Sequence, residues 1–266
     1  MAKMLGMLVS TSRQASAVAR LAQLSLPGRV HIGTAPEPVR RLSSGLTAVD
    51  ALLDGGMPCG RISEVTGARS SGKTSLLLAI LAASTRRGEV VACVDVADAL
   101  HPASVARAGA DLQRILWVRP PTLSAAMRCT ELLLQAGGFA VVVLDLGGPL
   151  PGRLRGHFWP RLLHAAEHSH TALIVLAPHR VAGSFAALSL TLRLHRPLWL
   201  RGLWPLFEGF QTVAALVRNK LGMPGQKTVI RVRESCSFPE PAFTSTNHEH
   251  DSRSAFTSTI HEHDPQ

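Results

Sequence analysis

From Arg61 onward the chain alternates short apolar runs with stretches long enough to form helices. Arg61 to Val65 reads as a strand, and Lys73 to about Arg86 as a helix. "EVVACVD", "AVVVLD" (Ala140 to Asp145) and "TALIVLA" (Thr171 to Ala177) are continuous apolar runs, as expected of strands buried on both faces. Helical stretches separate them, notably Leu123 to Ala136. This alternation predicts an α/β fold with a mainly parallel sheet and helices on both faces. "SLTLRLH", "QTVAALVRNK" and "KTVIRVR" then follow with no helix between them. They predict antiparallel strands added at the C-terminal edge.

The ends of the chain read differently. Residues 1–41 form a basic segment in which "SRQASAVARLAQLSL" could make an amphipathic helix burying Val18, Leu21 and Ala22, or serve as a transit peptide. Residues 42–235 hold the core. From 236 to 266 the chain ends in a polar near-duplicate, "AFTSTNHEHDSRS" then "AFTSTIHEHDPQ", predicted to be disordered. Its pairs His248 with His250 and His261 with His263 are either a weak metal catch or a solvated repeat.

With 46% hydrophobic and 17% charged residues, the 266-residue chain can bury a sizeable core. No apolar run approaches the roughly 20 residues that span a bilayer, so no membrane role is expected. Cys59, Cys93, Cys129 and Cys236 lie far apart with no C-x-x-C pair. Such usage suits a reducing compartment, and the expected location is the cytoplasm, with nucleoid association when engaged on DNA. The net charge of +10 points to acidic partners, nucleic acid first, or to a generally arginine-rich composition. Lysine is rare: Lys3, Lys73, Lys220 and Lys227 are all there are.

One of these lysines sits in "GARSSGKTS", which has the Gly-x-x-x-x-Gly-Lys-Thr spacing of a phosphate-binding loop. Gly67, Ala68, Arg69, Ser70, Ser71, Gly72, Lys73, Thr74 and Ser75 form the candidate site. Glycines let the backbone turn its N–H groups inward at phosphate oxygens. Lys73 would reach the terminal phosphates of ATP, and Thr74 would present its hydroxyl to Mg²⁺ at the helix start. Asp145, ending an apolar strand, is the candidate acid for the Mg²⁺ shell, or else a helix cap or turn residue.

Several motifs occurring in order carry a resemblance. "RLSSGLTAVDALLDGGMPCGRISEVTGARSSGKTSLLL" resembles the opening of the RecA-like recombinase core, and the likeness continues through "VDVADALHPASVARAGAD" and Asp145 to "VRNK". The resemblance implies a RecA-like P-loop ATPase fold over roughly residues 42–233. It also implies what is lost. The glutamate that activates water in the recombinases falls at Ala97, leaving Asp98, one residue along and shorter, as a weak candidate base. The adenine-stacking aromatic falls at Ser104. The Asn-Gln that senses the γ-phosphate falls at Ala177 and Pro178, and proline has no N–H to offer. Arg218 and Lys220 keep the charges that reach a neighbour's nucleotide across the subunit boundary, unless they are simply a solvated strand end.

Keeping the core while losing these parts resembles the ImuA-type accessory proteins of damage-induced mutagenesis. The resemblance implies an ATP-binding interaction module in SOS translesion synthesis. Its partners would be an ImuB-type relative of the Y-family polymerases, or a RecA-like neighbour. A DNA-dependent ATPase or recombinase is the alternative, disfavoured by Ala97 and Pro178. A P-loop kinase for a small molecule would leave the G-G-x-P-x-G-R-I lead-in unexplained. The connector "LRLHRPLWLRGLWPLFEGFQ" interleaves Arg193, Arg196 and Arg201 with Trp199 and Trp204. It reads either as a surface for single-stranded DNA or a protein, or as a buried hairpin with snorkelling arginines.

Any DNA binding carried by this charge should be electrostatic and indifferent to sequence. Affinity for single strands should fall steeply with salt, each neutralised phosphate adding about 0.7 to the log–log slope. Binding that is flat between roughly 50 and 200 mM salt would show that the arginines serve another purpose.

Overall fold

A computed structural model describes residues 39–148, 156–200 and 206–233. The expected helix around Val18 and Leu21, the duplicated tail with its His-Glu-His pairs, and Arg201 and Trp204 of the connector lie outside these. In chain order the elements are β1 (Arg41–Leu42), α1 (Thr47–Leu52), β2 (Met57–Pro58), β3 (Ile62–Thr66), α2 (Lys73–Arg86), β4 (Val91–Asp95), α3 (Pro102–Arg107) and β5 (Ile115–Val118). There follow α4 (Leu123–Ala136), β6 (Val141–Asp145), α5 (Phe158–Ser169), β7 (Ala172–Ala177), β8 (Ala186–Leu200), β9 (Leu206–Asn219) and β10 (Lys227–Arg233).

The continuous apolar runs become the centre of one sheet, ordered β10-β9-β8-β3-β7-β6-β4-β5. Alternate residues of each central strand point to opposite faces, and both faces are covered. On one face Val65, Cys93, Val143 and Ile174 pack with Leu76, Leu77, Ile80 and Leu81 of α2. On the other, Ile62, Val94, Leu144 and Val175 meet Met127 and Leu134 of α4 and Trp159 and Leu162 of α5. All pairings from β8 through β3 to β5 are parallel.

The expected antiparallel strands stand at the edge, joined to the parallel sheet through β8. β9 and β10 are antiparallel to their neighbours, but β8 runs parallel to β3, with Thr66 opposite Thr191. Since β7 and β8 flank β3, the chain must cross from one side of it to the other. It must also return from the end of β7 to the start of β8. Residues 178–185, eight in all, make that passage. Two strand spacings sideways and four residues back amount to about 10 and 13 Å, within the roughly 26 Å that eight extended residues reach. There is no room for an α-helix, only for the single 3-10 turn Gly183–Phe185.

A segment laid over a sheet face buries amides that need acceptors. Glu64 supplies them. It is 0% exposed, in the middle of β3. Its Oε1 accepts from the backbone N–H of Val181 and from that of Ala182 at 2.8 Å. Its Oε2 accepts from Ser189 Oγ at 3.3 Å and stands 3.7 Å from Arg180 Nε. Asp50 does similar work in the lead-in, accepting from Ser43 Oγ at 2.6 Å and Ser44 N at 2.7 Å, which fixes the turn into α1.

Glu64→Ala should therefore leave buried amides and the Ser189 hydroxyl without their acceptor. Breaking such a network costs about 3–5 kcal/mol, readable as a large drop in the urea midpoint. A loss under about 1 kcal/mol, the scale of one ordinary hydrogen bond, would mean that the crossover amides find other partners.

Candidate nucleotide site

The phosphate-loop sequence joins the carboxyl end of β3 to α2, where ligands of open parallel sheets collect. Gly72 opens α2 with φ +93, a conformation that glycine adopts without steric cost. At Gly67 a Cβ would come 2.6 Å from the Leu192 carbonyl oxygen and 2.5 Å from Ser71 Oγ. The loop is thus wedged against β8. It is also tied to β9, since Thr212 Oγ1 donates to the Ser71 carbonyl at 3.0 Å.

Two cavities flank this loop. One, about 290 Å³, brings together Lys73, Thr74, Ser75, Asp145 and Gly147, with Ala97 and Phe210 on its walls. The other, about 320 Å³, lies between Arg69, Pro178 and Arg193. Although the second is slightly larger, it lacks Lys73, Thr74 and Asp145, so the first is the candidate for a triphosphate.

Lys73 Nζ donates to the carbonyls of Gly67 at 2.5 Å and Ala177 at 3.3 Å. Burial pushes its ammonium below the usual lysine range, with Asp145 pulling back upward. Asp145 moves the other way. Burial raises its carboxyl and Asp95 adds to this, while the Gly147 N–H, donating at 2.9 Å, and Lys73 oppose. In both groups desolvation outweighs their mutual attraction. Ser71 Oγ, in a residue 2% exposed, has no hydrogen-bond partner. An orphaned buried hydroxyl, a glycine-wedged loop and an underneutralised ammonium fit a polyphosphate. Thr74 and Asp145 both line the cavity and could hold the Mg²⁺ of a bound nucleotide, an ion that keeps most of its shell from phosphate and water. No cluster of three metal-ligating side chains occurs among the described residues.

Other expected residues are dispersed. Asp98 is not on the wall of the site. Its backbone is left-handed (φ +51), and its carboxylate pairs with Arg119 at 3.6 Å on the surface. Ala97 does face the cavity, and a Cβ on Gly147 would come 2.4 Å from its methyl. Ser104 lies on α3, hydrogen-bonded to His101 at 3.1 Å, away from the loop. Arg218 Nη1 donates to the Gly183 carbonyl at 2.6 Å, and Lys220 Nζ to that of Ser184. The connector is a hairpin, but not a buried one, with Trp199 and Phe207 edge to face at 5.6 Å and both about half exposed.

Two contributors were not foreseen. Asp95, 1% exposed, accepts from Ala97 N at 3.2 Å and Leu100 N at 2.8 Å, shaping the turn that presents Ala97. Its place at the end of a buried strand, like that of Asp145, was a usable signal. Phe210 reaches the cavity from a distant strand, and nothing local marks it.

A family model described as the RecA N-terminal domain matches residues 29–152. Over that stretch the chain is similar to RecA. Protein RecA of Rhizobium etli is 33% identical over 156 residues, covering 52% of this chain and 43% of the relative. Protein RecA of Allorhizobium ampelinum is 40% identical over 108 residues, covering 40% of this chain and 30% of the relative. The chain thus spans less than half the length of these relatives. A crystal structure of the RadB recombinase, 23% identical, aligns with 71% of this chain and 95% of its own at a TM-score of 0.58. It shares the fold. Among the described residues no helix is long and apolar enough to cross a membrane.

The raised carboxyl of Asp145 has a consequence for stability. A group whose folded pKa lies above its unfolded value favours the fold at low pH, and that contribution is lost as pH rises through the folded pKa. Asp145→Asn should therefore raise the melting temperature of the nucleotide-free protein at neutral pH. The gain should vanish below the ordinary aspartate pKa of about 3.9. Equal melting of variant and wild type at pH 7 would show that the buried charge is already compensated.

Proposed function

We propose that the chain is an ATP-binding RecA-like accessory protein of bacterial DNA repair, acting in translesion synthesis through polymerase-type partners and not by strand exchange. Likeness to RecA supports ATP binding and a role in DNA repair or recombination. The finer reading rests on one observation. The cavity keeps Lys73, Thr74 and Asp145, yet Ala97 stands where the recombinase resemblance puts the water-activating base.

An alanine cannot take a proton, and loss of a general base typically costs two to four orders of magnitude in rate. Asp145, with Mg²⁺ to hold, is the only carboxylate among the described lining residues. The passage after β7 supports the same reading. It begins with Pro178 and spans eight residues clamped by Glu64, which leaves little length for a DNA-sensing loop. Partner contacts are assigned to Arg218 and Lys220, at and just beyond the end of β9, with an ImuB-type polymerase relative or a RecA-like neighbour on the other side.

ATP turnover with saturating single-stranded DNA should be far below the usual enzymatic median of about 10 per second. Arg218→Glu combined with Lys220→Glu should abolish pull-down of the partner. It should leave circular dichroism and ATP binding unchanged, because exposed charges contribute little to stability. Turnover near that median, or a folded double variant that retains every partner, would refute the accessory reading.

A further inference from the structure

We infer that Phe210 is the platform on which the nucleobase lies. The inference rests on the nucleotide reading of the loop and adds to it a residue that no phosphate-loop pattern contains. The 290 Å³ cavity has a polar end, made by Lys73, Thr74 and Asp145, and a single aromatic among its described lining residues, Phe210. Ser104, where the resemblance would put an aromatic, does not line it.

The position of this ring is fixed by the strand that carries it. Phe210 and Thr212 alternate along β9 and so share a face. Thr212 Oγ1 is bonded to the Ser71 carbonyl, and it would lie 3.0 Å from a Cβ on Gly72. Phe210 Cε2 would lie 3.5 Å from that same atom, an ordinary van der Waals contact. The ring therefore stands over the junction of loop and helix, where a nucleoside leaves its phosphates. It is half-buried, with part of its surface still open. A base completes the burial of an aromatic face without any edge hydrogen bond, which makes stacking tolerant of base identity.

The test separates base from phosphate, using the full chain with Mg²⁺. Affinities for ATP and for inorganic triphosphate are measured calorimetrically for wild type, Phe210→Leu, Phe210→Trp and Lys73→Ala. Phe210→Leu keeps apolar volume without a π face. It should weaken ATP about tenfold, within the range of one stacked base, and leave inorganic triphosphate unchanged. Phe210→Trp should restore ATP binding, and Lys73→Ala should weaken both ligands. If Phe210→Leu weakens neither ligand, or both equally, the platform is refuted while the loop assignment stands. If wild type binds neither ligand, or Lys73→Ala changes nothing, the nucleotide reading itself falls and the platform with it.

Discussion

The architecture turns on one buried carboxylate. Glu64 sits in the central strand with its charge removed from water, a condition tolerated only when every oxygen is well occupied. Here the occupants are two amides of the crossover, the Ser189 hydroxyl and the Arg180 guanidinium. Hydrogen bonds to an ionised acceptor are about twice as strong as neutral ones. They hold a chain segment with no α-helix of its own flat against the sheet. Because the segment is held there, β8 lands parallel to β3, and the hairpin it begins with β9 lies beside the phosphate loop. Leu192, Phe210 and Thr212, which wall and wedge that loop, all belong to this hairpin. A residue far from the phosphates thus decides what surrounds them.

The sequence makes the two ends of this chain of causes legible, but not the middle. Strands buried on both faces announce themselves as unbroken aliphatic runs. The helix Leu123–Ala136 and the loop spacing are equally local signals. The direction of β8 is not local. It depends on whether a passage of eight residues can cross β3, which in turn depends on an acceptor more than a hundred positions earlier. A glutamate in the middle of the strand Ile62–Thr66 was the only hint. Phe210 was hidden for a related reason. Alternation puts Phe210 and Thr212 on one face of β9, but the β8–β9 pairing shifts register three times, so the sequence does not say which face meets the loop. Asp98 misled in the opposite way. It is close in sequence to the expected base, but a left-handed backbone carries its carboxylate to Arg119.

Electrostatics tie the site to its reading. Lys73 and Asp145 are each shifted against their own charge, so the pair is incompletely compensated by the protein alone. A triphosphate adds negative charge beside the ammonium, and a divalent cation adds positive charge beside the carboxylate. Each half of the ligand relieves one of the two burial costs. Together with the orphaned Ser71 hydroxyl, this favours a site that gains stability from occupancy.

Occupancy and turnover are different demands. Turnover needs a base near the terminal phosphate, and communication of turnover needs a segment with two arrangements. On the accessory reading Ala97 leaves the first unmet, its methyl packed so closely on Gly147 that residue 147 has no space for a side chain. The crossover bears on the second. It is held at its middle by Glu64 and near its end by Arg218 and Lys220, which donate to the Gly183 and Ser184 carbonyls. On the accessory reading, a partner that recruited those two cations would free the end of the crossover while Glu64 still held its middle, so the nucleotide site would stay as it was.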